Sequence, residues 1–129
     1  MVLIDTSAWI EFLNDGRPDI AQRVDEALEN EVVAMGDLIY CEVMQGIYGH
    51  RERQSVADLF LSLPRFDLCG FAIAETASAN YRLLRSKGIT VRKTIDVIIG
   101  TFCIENEMTL IHNDVDFTRM APVLGLRIK

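Results

Sequence analysis

Residues 1–10 read MVLIDTSAWI, and this stretch sets the fold class. Val2-Leu3-Ile4 is apolar and β-favouring with no polar residue alternating through it, the pattern of a parallel strand covered on both faces. Asp5 ends the run, and Thr6 or Ser7 is placed to cap a helix over Ser7–Leu13. In open α/β sheets ligands gather beyond the carboxyl ends of the strands. Asp5 therefore stands where a site would be.

The rest of the chain repeats the alternation. Asn14-Asp15-Gly16 is a turn, and Pro18 opens a helix to Asn30 with Ile20, Val24, Ala27 and Leu28 at helical spacing. A second apolar strand, Val32–Met35, leads into a helix over Leu38–Ile47 and another over Arg51–Leu63, which Pro64 stops. Phe66–Cys69 reads as a third strand, followed by a helix over Phe71–Lys87 that closes at Gly88. Thr94–Glu107 is a helix, Thr109–His112 a strand, Val115–Met120 a short helix and Leu126–Ile128 a last strand. Strands alternating with helices imply an α/β fold whose central, mainly parallel sheet of four or five strands carries helices on both sides.

At 129 residues the chain is expected to form a single domain spanning 1–129, large enough for one core without covalent staples. No apolar run approaches a membrane span, and no secretory leader is read at the N-terminus. The three cysteines, Cys41, Cys69 and Cys103, are odd in number and lack C-x-x-C spacing. They suggest neither disulfides nor zinc, and Cys41 and Cys103 are expected to be buried in a reducing cytosol. The net charge of −6 argues against non-specific duplex binding, which needs many cations on phosphate. It is compatible with a nucleic-acid enzyme whose acids share one cleft with divalent metal.

Several acids sit where acids are costly. Asp5 ends a strand, with helix capping as its competing role. Glu42 shares a helix face with Leu38 and Ile39, so its carboxylate must be paired, protonated or metal-bound. Asp96 heads the row of Ile99, Gly100 and Cys103, with a first-turn dipole role as the alternative and Thr94 as the candidate cap. Gly100, one turn on, leaves space for a neighbour. Asp114 follows the Thr109–His112 strand as Asp5 follows the first, and Asp116 is expected to cap the helix near Phe117. Two strand ends and two inward helix faces can converge on one cleft. Carboxylates so gathered repel unless a cation lies between them. Oxygen ligands without His or Cys select Mg²⁺ or Mn²⁺, and such a site suits displacement at phosphorus by metal-activated water.

With these residues in place the chain resembles the PIN-domain family, and within it the VapC-type ribonuclease toxins of toxin–antitoxin pairs. The resemblance spans essentially the whole chain. It is carried by Val2-Leu3-Ile4-Asp5-Thr6-Ser7, by Glu42 after the second strand, by Asp96 opening an apolar helix and by Asp114-Val115-Asp116-Phe117. It implies a Rossmann-like three-layer α/β/α fold and Mg²⁺- or Mn²⁺-dependent endonucleolytic cleavage of RNA. By position Asp5, Asp96 and Asp114 match the metal-site acids, Glu42 the helix-borne acid and Asp116 a further acid whose part varies. Thr6 matches a small polar residue that hydrogen-bonds within the site. Where a Thr or Ser is common two residues before Asp114, this chain has His112, read as a strand-end residue.

The resemblance also implies a cytoplasmic protein, a homodimer, and a cognate antitoxin whose tail occupies a groove near the site. Trp9, Phe12, Met44 and Tyr48 are candidates for its lining, with the core as their competing place. Arg82, Arg85, Lys87, Arg92 and Lys93 are candidates to meet RNA phosphate, with Arg51, Arg53 and Arg65 a looser group. Two other phosphoryl-transfer families fit less well. Haloacid-dehalogenase phosphatases need a second Asp where Ser7 stands, and response-regulator receivers need adjacent acids after the first strand. A non-catalytic interaction module of the same fold is the remaining alternative.

Overall fold

The computed structural model describes residues 1–129. Strands β1 (Val2–Ile4), β2 (Val33–Gly36), β3 (Arg65–Phe66) and β4 (Thr109–Ile111) form one sheet in the order β3-β2-β1-β4. Between them run helices α1 (Thr6–Leu13), α2 (Pro18–Asn30), α3 (Asp37–Gln45), α4 (His50–Leu61), α5 (Phe71–Ser86) and α6 (Thr94–Glu105), with α7 (Val115–Leu124) after β4. Every pairing is parallel. Leu3 lies opposite Ala34 on one side and Leu110 on the other, and Gly36 lies opposite Phe66. All four strands therefore end on the same edge of the sheet. The α/β expectation holds, with four strands.

β1 is central and each of its residues is buried, which is why its sequence shows no alternation. Helices α1 to α4 pack among themselves, as do α5 to α7. Trp9 is wholly buried, its ring edge-on to Phe60 at 4.9 Å and to Phe12 at 5.9 Å. α6 is apolar all round and buries Val97, Ile99, Gly100, Phe102 and Cys103. Its polar Thr101, also buried, accepts a hydrogen bond from Asn80 Nδ2 at 3.0 Å. The space expected beside Gly100 is taken by Met120, whose Sδ lies 3.0 Å from where a Cβ would stand. Gly88 has φ +76°, and the Gly88 and Ile89 amides donate back to Arg85 and Leu84, closing α5 as its sequence implies. No helix is long and apolar enough to cross a membrane.

Four local expectations are corrected. The third strand is Arg65–Phe66 rather than Phe66–Cys69, because the Leu68 amide donates to Asp37 Oδ1 at 3.0 Å and draws the segment off the sheet. Leu126–Ile128 makes a single bridge, Leu110 to Ile128, and no full strand. α7 runs past Met120 to Leu124, through Pro122, and stops at Gly125 with φ +78°. Cys41 is exposed, since α3 buries Ile39 and Val43 and Cys41 lies between them on the opposite side; Cys103 is buried as expected.

Gly36 ends β2 where the chain passes under Leu68. An added Cβ there would overlap the Leu68 side chain, which is wholly buried and has nowhere to go. Gly36→Ala is expected to cost about 1–3 kcal/mol in urea unfolding without changing the fold. A variant as stable as the parent would show that Leu68 can move.

Candidate active site

The carboxyl ends of β1 and β4 are adjacent, so Asp5 and Asp114 lie side by side at the sheet edge. Asp5 is 4% exposed. Its backbone N–H continues the ladder to Ile111, and its carboxylate accepts the Ser7 amide at 3.0 Å and the Ser7 hydroxyl at 2.5 Å. Asp5 itself, not Thr6 or Ser7, is thus the cap of α1. Burial pushes its pKa up, the Ser7 and Thr6 hydrogen bonds oppose that, and the neighbouring Asp114 adds to it. Ser7 also accepts the Asn113 amide at 2.9 Å, tying the turn after β1 to the turn after β4.

Asp96 enters from the first turn of α6 and is 5% exposed. The residue before that helix is Lys93, with no side-chain cap, so Thr94 does not take the capping role. Asp96 Oδ2 is buried and has no hydrogen-bond partner. Its pKa is pushed up to about 7, first by burial, then by Asp5 and Asp114 and more weakly by Glu42, with Lys93 pulling the other way. A carboxylate oxygen left bare in such a place is costly unless something binds it.

Glu42 reaches the same cavity from α3, half-buried, and accepts the Thr6 hydroxyl at 2.8 Å on Oε1. Thr6 thus donates its hydroxyl to one of the acids that line the cavity. Asp114 caps α7, its Oδ1 accepting the Asp116 amide at 2.9 Å, so the capping role expected of Asp116 belongs to Asp114. Asp116 is instead buried and bound to Arg92, whose Nε and amide donate to its Oδ2 at 3.2 and 3.4 Å. Arg92 Nη2 also lies 3.5 Å from Asp114 Oδ1 while its side chain stays 69% exposed.

His112 is buried, and its Nδ1 accepts the Asp114 amide at 3.1 Å, holding the turn that presents Asp114. An Nδ1 that accepts must be unprotonated, and burial lowers the imidazole pKa accordingly. The ring nitrogen thus supplies an acceptor to the backbone of the turn.

Asp5, Thr6, Ser7, Ile10, Glu42, Lys93, Asp96 and Asp114 line one cavity of about 170 Å³. Asp96, Asp114 and Asp116 each offer an oxygen within 4.8 Å of the others. The sequence-predicted acids thus converge, with Asp116 set behind the cavity under Arg92. Two members were not anticipated in their present roles. Ser7 organises both strand ends, and Lys93 lines the cavity beside Asp96. The sequence marks Ser7 as a candidate cap and Lys93 as a candidate for RNA phosphate; it does not show that Ser7 would bridge two strand ends or that Lys93 would stand beside Asp96. Four acids lining the cavity and a fifth behind it, all with oxygen donors and with one buried oxygen unpartnered, form a set that a divalent cation such as Mg²⁺ or Mn²⁺ fits.

A second cavity of about 360 Å³ adjoins the first and shares Ile10 and Glu42 with it. Leu13, Val43, Ile47 and the 92% exposed Tyr48 line it, with Glu52 at its edge. Of the four groove candidates only Tyr48 is there. Trp9 is in the core, Phe12 packs on Trp9, and Met44 lines a separate hollow with His50 and Arg53. The basic group divides too, Arg92 and Lys93 joining the site while Arg82 contacts Ser78 on α5.

The family model of the PIN domain matches residues 2–122. The chain is 30% identical over 129 residues to ribonuclease VapC11 of Mycobacterium tuberculosis, covering 98% of this chain and 96% of the relative. A VapC ribonuclease of Mycobacterium bovis matches to the same extent, 30% over 98% and 96% of the two chains. Among solved structures, VapBC2 of Rickettsia felis bound to promoter DNA superposes with a TM-score of 0.77 at 20% identity, over 100% of this chain and 98% of that one.

Proposed function

The chain belongs to the PIN-domain family, and from that premise we propose that it is a metal-dependent endoribonuclease, the toxin of a toxin–antitoxin pair. The observation that carries the reading is Asp96 Oδ2, buried and unpartnered, in a cavity it shares with Asp5, Glu42 and Asp114. We read the whole chain as one such domain, acting on RNA in the cytoplasm.

Asp5, Asp96 and Asp114 would hold the cation, Mg²⁺ or Mn²⁺. When bound, it lowers the pKa of water and neutralises charge growing on the phosphate. Glu42, steadied by Thr6, stands at the cavity wall to orient the attacking water and take its proton. Lys93, which lines the same cavity, would offset charge on the scissile phosphate. Asp116 fixes Arg92, and Arg92 in turn holds Asp114 in place before substrate arrives. Incubating the pure protein with structured RNA, with and without Mn²⁺, tests the reading. Cleavage that persists in Asp5→Asn overturns it.

The groove of Ile10, Leu13, Val43, Ile47 and Tyr48 suits the apolar tail of an antitoxin. Glu42 and Glu52 beside it favour a basic residue in that tail. An exposed aromatic in such a groove is the kind of side chain that dominates binding. Tyr48→Ala is expected to weaken inhibition by the cognate antitoxin about tenfold or more while leaving RNA cleavage unchanged. Equal inhibition of both proteins would place the tail elsewhere. The homodimer reading finds support on α5, where the 89% exposed Phe71 is followed by Ala74, Ser78 and Tyr81 along one face.

A further inference from the structure

Two strands away from Asp114 lies another cavity, of about 210 Å³, lined by Met35, Gly36, Asp37, Tyr40, Arg65, Phe66 and Asp67. It opens at the carboxyl ends of β2 and β3, on the sheet edge that carries the acids. At about 5 Å per strand, its distance from Asp5 is on the order of 10 Å. We propose that this cavity, lined by the stacked Arg65 and Tyr40 planes and by Asp67, is a subsite for one unpaired guanine base of the RNA. The proposal rests on the ribonuclease reading and specifies part of its substrate.

The walls are flat and braced. Tyr40 packs against Phe60 at 6.0 Å, and Phe66 against Phe102 at 5.9 Å, so neither ring is free to fold away. The Arg65 guanidinium lies over the Tyr40 ring, 5.7 Å from its centroid, and is exposed on its outer side. Single-stranded RNA is held by such surfaces, with bases stacking on aromatic rings and guanidinium planes. The floor is set as well. Asp37 Oδ1 accepts the Leu38 and Leu68 amides at 2.8 and 3.0 Å, joining the start of α3 to the segment after β3.

The polar groups decide what enters. One cation and two carboxylates disfavour a phosphate, which would meet like charge. Asp67 is exposed and takes part in none of the ion pairs of the chain, so its two oxygens are available as acceptors. Guanine alone presents two adjacent N–H donors, N1–H and the N2 amino group, on its pairing edge. Adenine, cytosine and uracil set an acceptor beside each donor, which a carboxylate repels.

The test uses the full chain in EDTA, with pentanucleotides UUGUU, UUAUU and UUCUU and free GMP, each followed by amide chemical shifts. UUGUU is expected to bind at least tenfold more tightly than the other two and to shift the amides of Gly36, Phe66 and Asp67. Asp67→Asn is expected to erase the preference, because an amide cannot accept both donors, and Asp67→Glu to retain part of it. Absent binding, equal affinities, or a preference intact in Asp67→Asn overturns the proposal. GMP binding as tightly as UUGUU also overturns it, assigning a free-nucleotide site instead. Cleavage of a random-loop RNA, measured separately, keeps the two readings apart. A chain that prefers guanine and cuts nothing refutes the ribonuclease alone. A chain that cuts with no regard to guanine or Asp67 refutes the guanine site alone.

Discussion

Asp5→Asn is expected to lower RNA cleavage by about a thousandfold or more, the scale of losing a group that stabilises charge at a reacting phosphate. It is also expected to leave the fold intact. Asp5 does two jobs, and the substitution separates them. As the cap of α1 its side chain accepts the Ser7 amide and hydroxyl, and asparagine caps as well as aspartate does. As a buried anion beside Asp96 it raises the cost of ionising that carboxyl, and asparagine removes that charge. The metal-free variant should therefore melt at or above the temperature of the parent. The rise in melting temperature that Mn²⁺ gives the parent should vanish. An Asp5→Asn protein that unfolds at lower temperature would mean that the cap geometry dominates, and its lost activity would then say nothing about chemistry.

The second large effect is a coupling between metal and proton at Asp96. With a pKa near 7 in the metal-free fold and an ordinary carboxylate value in the unfolded chain, Asp96 holds a proton from about pH 4 to pH 7 that the unfolded chain has lost. Stability from this group is therefore present at low pH and falls as pH rises through that window. A cation must displace the proton, so metal affinity should climb about tenfold per pH unit below 7 and level off above it. Calorimetry of Mn²⁺ binding in buffers of different ionisation heat should find about one proton released at pH 6 and almost none at pH 8.5. His112 does not supply that proton, since its Nδ1 already accepts the Asp114 amide and so carries none. Asp96→Asn should abolish the release. An affinity independent of pH in the parent would show that Asp96 is ionised before metal arrives.

Much of this could be read from residues whose surroundings made them anomalous. Val2-Leu3-Ile4 lacks alternation because both faces are covered, and Glu42 and Asp96 stand out because they share faces with apolar neighbours that are buried. Partner choice among polar groups was not legible. Nothing local tells that Asp37 will take the Leu68 amide and shorten β3, or that Arg92 will settle on Asp116 and Asp114. The Ser7 bridge to Asn113 and the place of Lys93 beside Asp96 emerge only once β1 and β4 lie side by side. Trp9 and Tyr48 reverse an intuition about aromatics, because burial depends on which way α1 turns and on where α3 stops, not on residue type.

The pairing of β1 with β4 has a consequence for the living cell. More than a hundred residues separate Asp5 from Asp114, yet they belong to one cavity. At ribosomal speeds, roughly 5–20 s pass between the synthesis of the first and of the second. A nascent polypeptide lacks its second strand-end acid throughout that interval, and fragments from stalled or broken messages never acquire it. With Asp114 a metal ligand, as proposed above, the messenger is spared by the chain it encodes until translation has passed β4.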